Sequence, residues 1–346
     1  MKLLLISAHS PKSRGGIAVW TDRFLSSCQW HNLVCRMVNT KTVGKRALQG
    51  TAGRNFLDEI TRTRSIFRQL HRSLKEETFD VAHLNTSCGD FGLFRDYMIA
   101  KRIARKGIPV VTHYHCDIPY WIHNPLSRSC LKGLAKLSYK NLVLCENSRK
   151  YLREQFDVEA VKVPNFIQDD LIGGKPKNIN DRLNKVFFVG RVSIAKGAEE
   201  MYALAKQFPE ITFELAGDVS DEVASWEKPD NLCLLGGMPH GEIIKRLDVA
   251  DVFLFPSHSE GFSMALLESM ARGVPAVATD VGAAADMLAD GCGIVVEKGN
   301  VEAMAAALRC LESAEIRKEI SCRAVDKVKT HYTVNAVIEL IKRQYE

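Results

Sequence analysis

Short apolar runs alternate with stretches of helical periodicity along the chain, and this alternation constrains the fold more than any other feature. Strands that are each followed by a helix are typical of parallel sheets covered on both faces. The apolar runs form two series, at 3–6, 34–38, 81–84, 110–112 and 142–145, and at 186–189, 212–216, 232–235, 252–255, 276–278 and 294–296. The sequence therefore predicts two doubly wound α/β halves.

A break in this pattern lies at residues 164–184, where turn-forming and polar residues replace the apolar runs. The 346 residues are enough for two domains of about 150 residues each. Doubly wound sheets bind ligands at the carboxyl ends of their strands, so two facing halves would form a cleft between these ends. We therefore look for functional residues in loops that follow strands.

Composition is that of a soluble globular enzyme, with 46% hydrophobic and 25% charged residues. The sequence has no run of about 18 apolar residues that could span a bilayer, and the opening run at 3–6 is too short for a secretory signal. The ten cysteines are scattered without a Cys-x-x-Cys pair, which favours reduced core thiols over a zinc or disulfide framework. We expect a cytoplasmic protein, either free or peripheral at the inner face of the cell membrane.

Positive charge is concentrated in the first half of the chain. Residues 1–170 hold 27 Lys and Arg against 15 Asp and Glu, although the net charge of the whole chain is only +6. Part of this charge lies around residues 66–74, IFRQLHRSL, which read as a basic amphipathic helix. Such a helix is attracted to an anionic membrane surface. An ordinary solvated helix face has the same pattern, so both interpretations stay open.

The most informative motif is FPSHSEGFSMALLESMARGVP, in which an apolar strand passes through a polar loop into a helix. Glu260 lies in the loop, and Glu268 lies inside the helix, where a carboxylate must be exposed, paired or committed to a ligand. The helix N-terminus offers an anion or hydroxyl site through the N–H groups near Gly261, Phe262 and Ser263. The alternative is two charges without a role beyond the helix dipole and solvation.

Two cations follow the first strand of the second series. Arg191 and Lys196 lie in the sequence VGRVSIAKG, and Gly190 relaxes the backbone in front of them. Fixed cations in a loop that leaves a buried strand suit a diphosphate. The alternative is a pair of surface charges, which is common for Lys but less comfortable for an Arg directly after an apolar strand.

Two further features lie in the first half. Gly15 and Gly16 open a helix after the first strand, where the backbone either contacts an anion or sugar or simply makes a tight turn. His113 and His115 lie on the same face of a strand. A metal site there would lack convergent His or Cys partners, so we expect no metal and assign His115 to substrate binding.

Two common nucleotide signatures are missing from the sequence. A Gly-x-Gly-x-x-Gly fingerprint does not follow the first strand, and no phosphate loop ends in Gly-Lys-Ser/Thr. Their absence argues against dehydrogenases and P-loop enzymes.

Taken together, the motifs resemble glycosyltransferases of family 4, with the GT-B fold, over essentially the whole chain. The matching segments are Gly15–Gly16, His115, 163–165, 189–191, 196–197, 216–218, 260–268, 273–275 and 279–282. The GT-B fold has two Rossmann-like doubly wound parallel-sheet domains that face each other across a cleft. The resemblance implies an acceptor-binding domain of residues 1–168 with 331–346, and a nucleotide-sugar-binding domain of residues 169–330.

The resemblance also implies roles for the site residues. Glu268 would bind the ribose of a nucleotide sugar, and Arg191 and Lys196, after Gly190, would hold its diphosphate. Glu260 would grip the sugar together with the amides of Gly261, Phe262 and Ser263. From the first domain, His115 and the loop of Gly15 and Gly16 would approach. Fixed cations can stabilise a leaving diphosphate without a metal or another cofactor.

Three departures from the family pattern blur the identity of the donor. Phe166 and Ser263 stand where the family usually has glycine, and Asp286 stands in place of a glutamate.

We therefore predict a retaining, metal-independent hexosyltransferase with His115, Arg191, Lys196 and Glu260 as catalytic candidates. It would move a hexose-type sugar from a nucleotide-sugar donor to a hydroxyl of a glycan or lipid-linked glycan in surface polysaccharide assembly. One alternative is a nucleotide-sugar epimerase on the same fold. Another is a non-catalytic module that binds sugar or nucleic acid, although we expect no nucleic-acid partner because a recognised binding motif is missing.

Overall fold

The computed structural model describes residues 1–9, 16–41, 56–173 and 177–346. The chain divides into two compact units, unit 1 with Met1–Asn165 and Val334–Glu346, and unit 2 with Phe166–Thr333. The sequence places the corresponding boundaries after residues 168 and 330. In the structure the N–H of Ile167 donates to the carbonyl of Tyr332 at 2.8 Å, and this contact keeps both segments in unit 2.

Unit 1 is built on a six-stranded sheet whose neighbouring strands are parallel. Its strands are β1 (Lys2–Ser7), β2 (Val34–Asn39), β3 (Val81–Thr86), β4 (Val110–Tyr114), β5 (Lys140–Val143) and β6 (Val161–Lys162). Its helices are α1 (Gly16–Ser27), α2 (Phe56–Glu76), α3 (Asp90–Ala104), α4 (Ile118–Trp121), α5 (Pro125–Leu137), α6 (Glu146–Phe156) and, near the end of the chain, α14 (Val334–Lys342). The strand order is β2-β1-β3-β4-β5-β6.

Unit 2 repeats this architecture with a second six-stranded parallel sheet. Its strands are β7 (Lys185–Val189), β8 (Thr212–Ala216), β9 (Leu232–Gly236), β10 (Val252–Phe255), β11 (Ala276–Thr279) and β12 (Ile294–Val296). Its helices are α7 (Ala198–Gln207), α8 (Asp221–Ala224), α9 (His240–Val249), α10 (Met264–Ala271), α11 (Ala284–Leu288), α12 (Val301–Cys310) and α13 (Ala314–His331). The strand order is β12-β11-β10-β7-β8-β9.

The predicted class, two doubly wound parallel sheets, is confirmed. Both faces of a parallel sheet are covered by helices, so its strands read as continuous apolar runs, as in β1 and β10, which are buried along most or all of their length. The largest errors lie around β5, which starts and ends earlier than the predicted 142–145 because Cys145 is already the N-cap of α6. The strand β6 is missed because it has only two residues.

Each sheet has one point where the direction of strand addition reverses. In unit 1 this point lies between β1 and β3, and in unit 2 between β7 and β10. The loops that leave such neighbouring strands diverge to opposite sides of the sheet and open a crevice at the carboxyl ends. The topology alone therefore selects the loops after β7 and β10 as the candidate site of unit 2.

Two surface properties complete the description. Among the described residues no helix is long and apolar enough to cross a membrane. The cysteines are all free thiols, but Cys310 and Cys322 are exposed, which corrects the expectation that the thiols lie in the core. Both lie on the solvent-facing sides of α12 and α13.

Candidate functional site

The loops after β7 and β10 meet through a Lys–Glu ion pair. The ammonium group of Lys196, in a short 3₁₀ turn before α7, contacts the carboxylate of Glu260 and lies 3.4 Å from the carbonyl of Ser259. Both side chains are partly exposed, with about a quarter of their surface open to solvent. A ligand that enters from solvent can therefore reach a cation and a carboxylate side by side.

Two glycines allow these loops to pack so closely. A Cβ on Gly197, which has a φ of +82°, would lie 2.3 Å from the carbonyl oxygen of Pro256. A Cβ on Gly282, which has a φ of +56°, would lie 2.3 Å from the carbonyl oxygen of Glu260. Only glycine fits both the left-handed conformation and the lack of space. The backbone of the Glu260 loop is thus held from both sides.

A side-chain hydrogen bond also ties the same loop to α7. The Nε2 atom of His258 lies 2.6 Å from Oε1 of Glu200, a buried residue of α7. The N–H of His258 donates to the carbonyl of Ala195 at 3.0 Å. The loop after β10 is therefore tied to the segment 195–200 by backbone and side-chain contacts.

The start of α10 matches the predicted helix N-terminus. The hydroxyl of Ser263 accepts a hydrogen bond from the N–H of Leu266 at 3.2 Å and caps the helix. The ring of Phe262 is buried and packs edge-on against Tyr332, with the ring centroids 6.0 Å apart. Any contact of Phe262 with a ligand is thus left to its backbone.

Glu268, on α10, is 7% exposed. Its Oε1 atom accepts a hydrogen bond from Nε2 of His240, the first residue of α9, at 3.0 Å. The sequence requires this carboxylate to be exposed, paired or committed to a ligand, and in the structure it is paired. The imidazole of His240 is half-exposed, so the pair lies at the surface of unit 2 and not in its core.

Arg191 follows β7 after Gly190 and is exposed. Within the described part of the chain its guanidinium group forms no ion pair, so its charge is available to a ligand. The N–H of Gly190 donates to the carbonyl of Ala216 at 2.9 Å, which continues the sheet hydrogen bonding to the base of the Arg191 loop. Gly261 lies next to Glu260, and its carbonyl accepts from the N–H of Ala283 at 3.0 Å.

In unit 1, His115 belongs to a hydrogen-bonded cluster at the carboxyl ends of β1, β3 and β4. Asn85 donates through Nδ2 to the hydroxyl of Ser7 at 2.9 Å, so its Oδ1 faces two imidazoles. It accepts from Nε2 of His83 at 3.0 Å and from Nε2 of His115 at 2.9 Å. His115 therefore carries its proton on Nε2, and its Nδ1 is an acceptor.

Burial keeps the histidines of this cluster neutral. Burial lowers the pKa of His83 to about 4, and burial together with the neighbouring His83 lowers the pKa of His115 to about 3. Burial also holds the pKa of His113 well below its usual range, and the ring of His113 lies 4.1 Å from that of His115. The two rings do share a face, as predicted, but His113 is fully buried and only His115 is within reach of solvent.

The remaining predicted residues are placed as follows. Gly15 lies outside the described residues. Gly16 is the exposed first residue of α1, and a Cβ there would meet no atom within 4 Å, so packing does not require glycine. Among the described residues there is no group of three or more His, Cys, Asp or Glu side chains that could hold a metal ion.

Sequence reasoning missed three residues of the site, Glu200, His240 and His258. His258 lies inside the recognised motif, two residues before Glu260, so its position in a ligand-binding loop could have indicated a role in the site. The other two carry no local signal, because their partners are 58 and 28 residues away in sequence.

Comparisons with known proteins identify the family of the chain. The family described as "Glycosyl transferases group 1" matches residues 174–326, and "Glycosyltransferase Family 4" matches residues 45–171. The phosphatidyl-myo-inositol mannosyltransferase of Mycolicibacterium smegmatis is 26% identical over 300 residues, which cover 81% of this chain and 74% of that protein.

Two solved structures show the same fold. The sucrose-phosphate synthase of Thermosynechococcus elongatus has a TM-score of 0.80 at 16% identity and covers 99% of this chain and 98% of its own. HepE of Anabaena in complex with UDP-glucose has a TM-score of 0.73 at 15% identity, with 99% and 98% covered. With a family match in each unit and the GT-B fold, the chain belongs to the group 1 glycosyltransferases of family 4.

Proposed function

We propose that unit 2 binds a nucleotide-sugar donor at the carboxyl ends of β7 and β10 and that the chain transfers its hexose-type sugar with retention of configuration. The observation that carries this proposal is the contact between Lys196 and Glu260, together with the exposed charge of Arg191 on the same loop as Lys196. These groups lie on the two loops that flank the reversal point of the sheet. HepE, a structural neighbour, was solved with UDP-glucose, which supports a donor of this class.

The ion pair gives the donor a defined way to bind. A diphosphate would draw the ammonium group of Lys196 away from Glu260, because the diphosphate of a nucleotide sugar carries more negative charge in total than one carboxylate. The released carboxylate of Glu260 would then accept hydrogen bonds from hydroxyls of the sugar. Arg191 would hold the other side of the diphosphate with its planar guanidinium group.

Glu268 would accept hydrogen bonds from the ribose hydroxyls. Its Oε1 atom is already oriented by the hydrogen bond from His240 at the surface of unit 2. A carboxylate whose rotamer is fixed before the ligand arrives is pre-organised for this role.

Catalysis would rest on electrostatic stabilisation of the leaving diphosphate by Arg191 and Lys196, with no metal or other cofactor. Attack from the face of the leaving group would retain the configuration, and the departing phosphate would take the proton of the attacking hydroxyl. No separate catalytic base is needed. The neutral His115 would accept, through Nδ1, a hydrogen bond from a substrate hydroxyl in unit 1.

The acceptor would be a glycan or lipid-linked glycan of surface polysaccharide assembly, at the inner face of the cell membrane. The basic composition of residues 1–170 supports an anionic acceptor and an anionic membrane surface. The mycobacterial relative is, by its name, a mannosyltransferase that acts on a phosphatidylinositol, which supports a lipid acceptor.

The test is nucleotide affinity, measured by titration calorimetry after a thermal-shift screen of UDP, GDP, ADP and their sugars. Arg191→Ala should remove a charge-assisted contact of about 1.5–3 kcal/mol, or about 10- to 100-fold in affinity. Lys228→Ala, a change of one exposed cation of unit 2, is the matched control and should leave the affinity unchanged. Equal affinities of the wild type and Arg191→Ala would remove Arg191 from the site.

A further inference from the structure

A groove runs between α2 and α3 of unit 1, apart from the candidate site residues. It has a volume of about 340 Å³ and a mainly apolar lining that includes Ile60, Phe67, Phe91, Phe94 and Met98. Phe91, Phe94 and Met98 are exposed by 59%, 52% and 40%. Large apolar side chains clustered at an exposed groove mark an interaction site, because a soluble surface otherwise avoids contiguous apolar patches.

The topology places this groove at the carboxyl edge of the sheet. In a right-handed crossover the helix runs antiparallel to the strands it connects. Therefore α2, which leads into β3, begins at the carboxyl edge, and α3, which leaves β3, begins there too. The lining residues lie within the first twelve residues of α2 and the first nine of α3, toward the same edge of unit 1 as His115 after β4.

The rim of the groove is cationic. Arg64 lines it, and Arg68 follows one turn later on the exposed side of α2. Within the described part of the chain neither guanidinium group has an ion-pair partner. The acidic lining residue, Glu59, is paired with Arg62 at 3.3 Å, so it does not cancel the charge of the rim. Apolar walls with free cations at the rim suit an amphiphile with an anionic head.

Further exposed apolar side chains lie in a segment that contacts the start of α3. The side chain of Asn124, before α5, donates to Asp90 at the start of α3 at 2.9 Å and ties the two segments together. Three exposed apolar side chains lie on or next to α4 and α5 in the segment around Asn124: Tyr120, Trp121 and Leu126. Trp and Tyr are the residues that favour the interface between water and lipid.

We propose that the groove between α2 and α3 takes up an acyl chain of an anionic membrane lipid, with the lipid phosphate beside Arg64 and Arg68. The inference rests on the proposed lipid-linked acceptor, which requires unit 1 to meet a membrane. The membrane contact would then include the apolar groove and not only the charged face of α2. A soluble glycan or a nucleic acid would match the cations but has no hydrocarbon for the groove.

Flotation of the full chain with vesicles tests the inference. We expect binding to vesicles that contain phosphatidylglycerol and little binding to pure phosphatidylcholine. Phe94→Asp should weaken binding at least about 10-fold, because a charge replaces a side chain that enters hydrocarbon. The double change Arg64→Ala with Arg68→Ala should weaken it by about 30-fold, and millimolar inorganic phosphate should not displace the vesicles.

Matched controls separate the groove from general effects. Val249→Asp introduces the same charge at an exposed apolar residue of unit 2, and Lys318→Ala with Lys329→Ala removes two exposed cations of α13. Both controls should bind like the wild type. As a second readout, a Phe94→Trp variant should show fluorescence quenching by phosphatidylglycerol with brominated acyl chains that exceeds the quenching of the wild type.

The outcomes are decisive in each direction. A chain that does not float with anionic vesicles, or a Phe94→Asp variant that floats like the wild type, overturns the inference, and so does displacement by phosphate alone. Unquenched Phe94→Trp overturns it even if Phe94→Asp fails to fold. Nucleotide affinity is measured in the same samples. If the wild type binds nucleotide but does not float, the lipid proposal is refuted and the proposed donor site is unaffected. If the wild type binds no nucleotide, the proposed function itself is refuted.

Discussion

Replacing Gly282 by alanine should disturb the candidate donor site without changing any side chain that contacts a ligand. A Cβ at this position would lie 2.3 Å from the carbonyl oxygen of Glu260 and 2.5 Å from that of Gly261, where ordinary contacts begin at 3.4 Å. The loop would have to move by about 1 Å to restore normal contact distances. Glu260 moves with it, because its own backbone is the obstacle.

The expected magnitudes follow from this geometry. Alanine in the left-handed conformation costs about 1–2 kcal/mol, and relief of the backbone clash adds about 1–3 kcal/mol. The free energy of unfolding of unit 2 should therefore fall by about 2–5 kcal/mol, or roughly 4–20 °C in Tm. A displacement of about 1 Å at a positioning group can cost up to about 100-fold in rate, so transfer from the nucleotide sugar should fall more steeply than nucleotide affinity.

Gly299→Ala is the matched control, because Gly299 has a φ of +76° but its Cβ would meet only Glu200 Oε1, at 4.0 Å. It should show the conformational cost alone and keep normal transfer. The measurements are calorimetric unfolding, nucleotide affinity and initial rates for both variants. Equal losses of stability and activity in the two variants would refute the idea that the Glu260 loop is held in place by contact with Gly282.

Two further predictions concern stability. Arg317 is fully buried and donates to the carbonyl of Leu311, at 2.8 Å, and to that of Asn180. Arg317→Met should lower the free energy of unfolding, measured with denaturant, by about 2–4 kcal/mol because both carbonyls lose a charged donor. Arg323→Met, at an exposed position, should change it little, and equal effects of the two changes would contradict this prediction. The pKa of His83 is about 4 in the folded chain and 6.5 in the unfolded chain, so the unfolded chain takes up the proton first and stability is lost as pH falls from about 6.5 toward 4. The free energy of unfolding of His83→Gln should therefore depend less steeply on pH between pH 7 and 5. An unchanged slope would show that other groups dominate.

The fold and the loop motifs could be predicted because their signals are local. The apolar strand, Pro256, the loop glutamate and the helix capped by Ser263 follow one another within twenty residues, and each has its own conformational preference. The same holds for α12, where the side chain of Asn300 accepts a hydrogen bond from the N–H of Ala303 and caps the helix. Short-range preferences of this kind do not depend on how the sheet is assembled.

The partners within the site could not be predicted, because they depend on strand order. Glu268 meets His240 only because β9 and β10 lie where the sheet places them, and a single sequence does not reveal that order. The histidine cluster could not be predicted for the same reason. Alternation along β4 brings His113 and His115 to one face, but His83 comes from the neighbouring strand β3.

The hydrogen bond between Nδ1 of His83 and the hydroxyl of Tyr345, at 2.8 Å, spans 262 residues of sequence. During synthesis at about 5–20 residues per second, β3 therefore waits for tens of seconds before its partner emerges from the ribosome. All of unit 2 is made in that interval, while the surface that later covers Val337, Ile338 and Ile341 of α14 stays open. Unit 1 begins first and is completed last, which makes it the half of the nascent chain that most needs protection from aggregation.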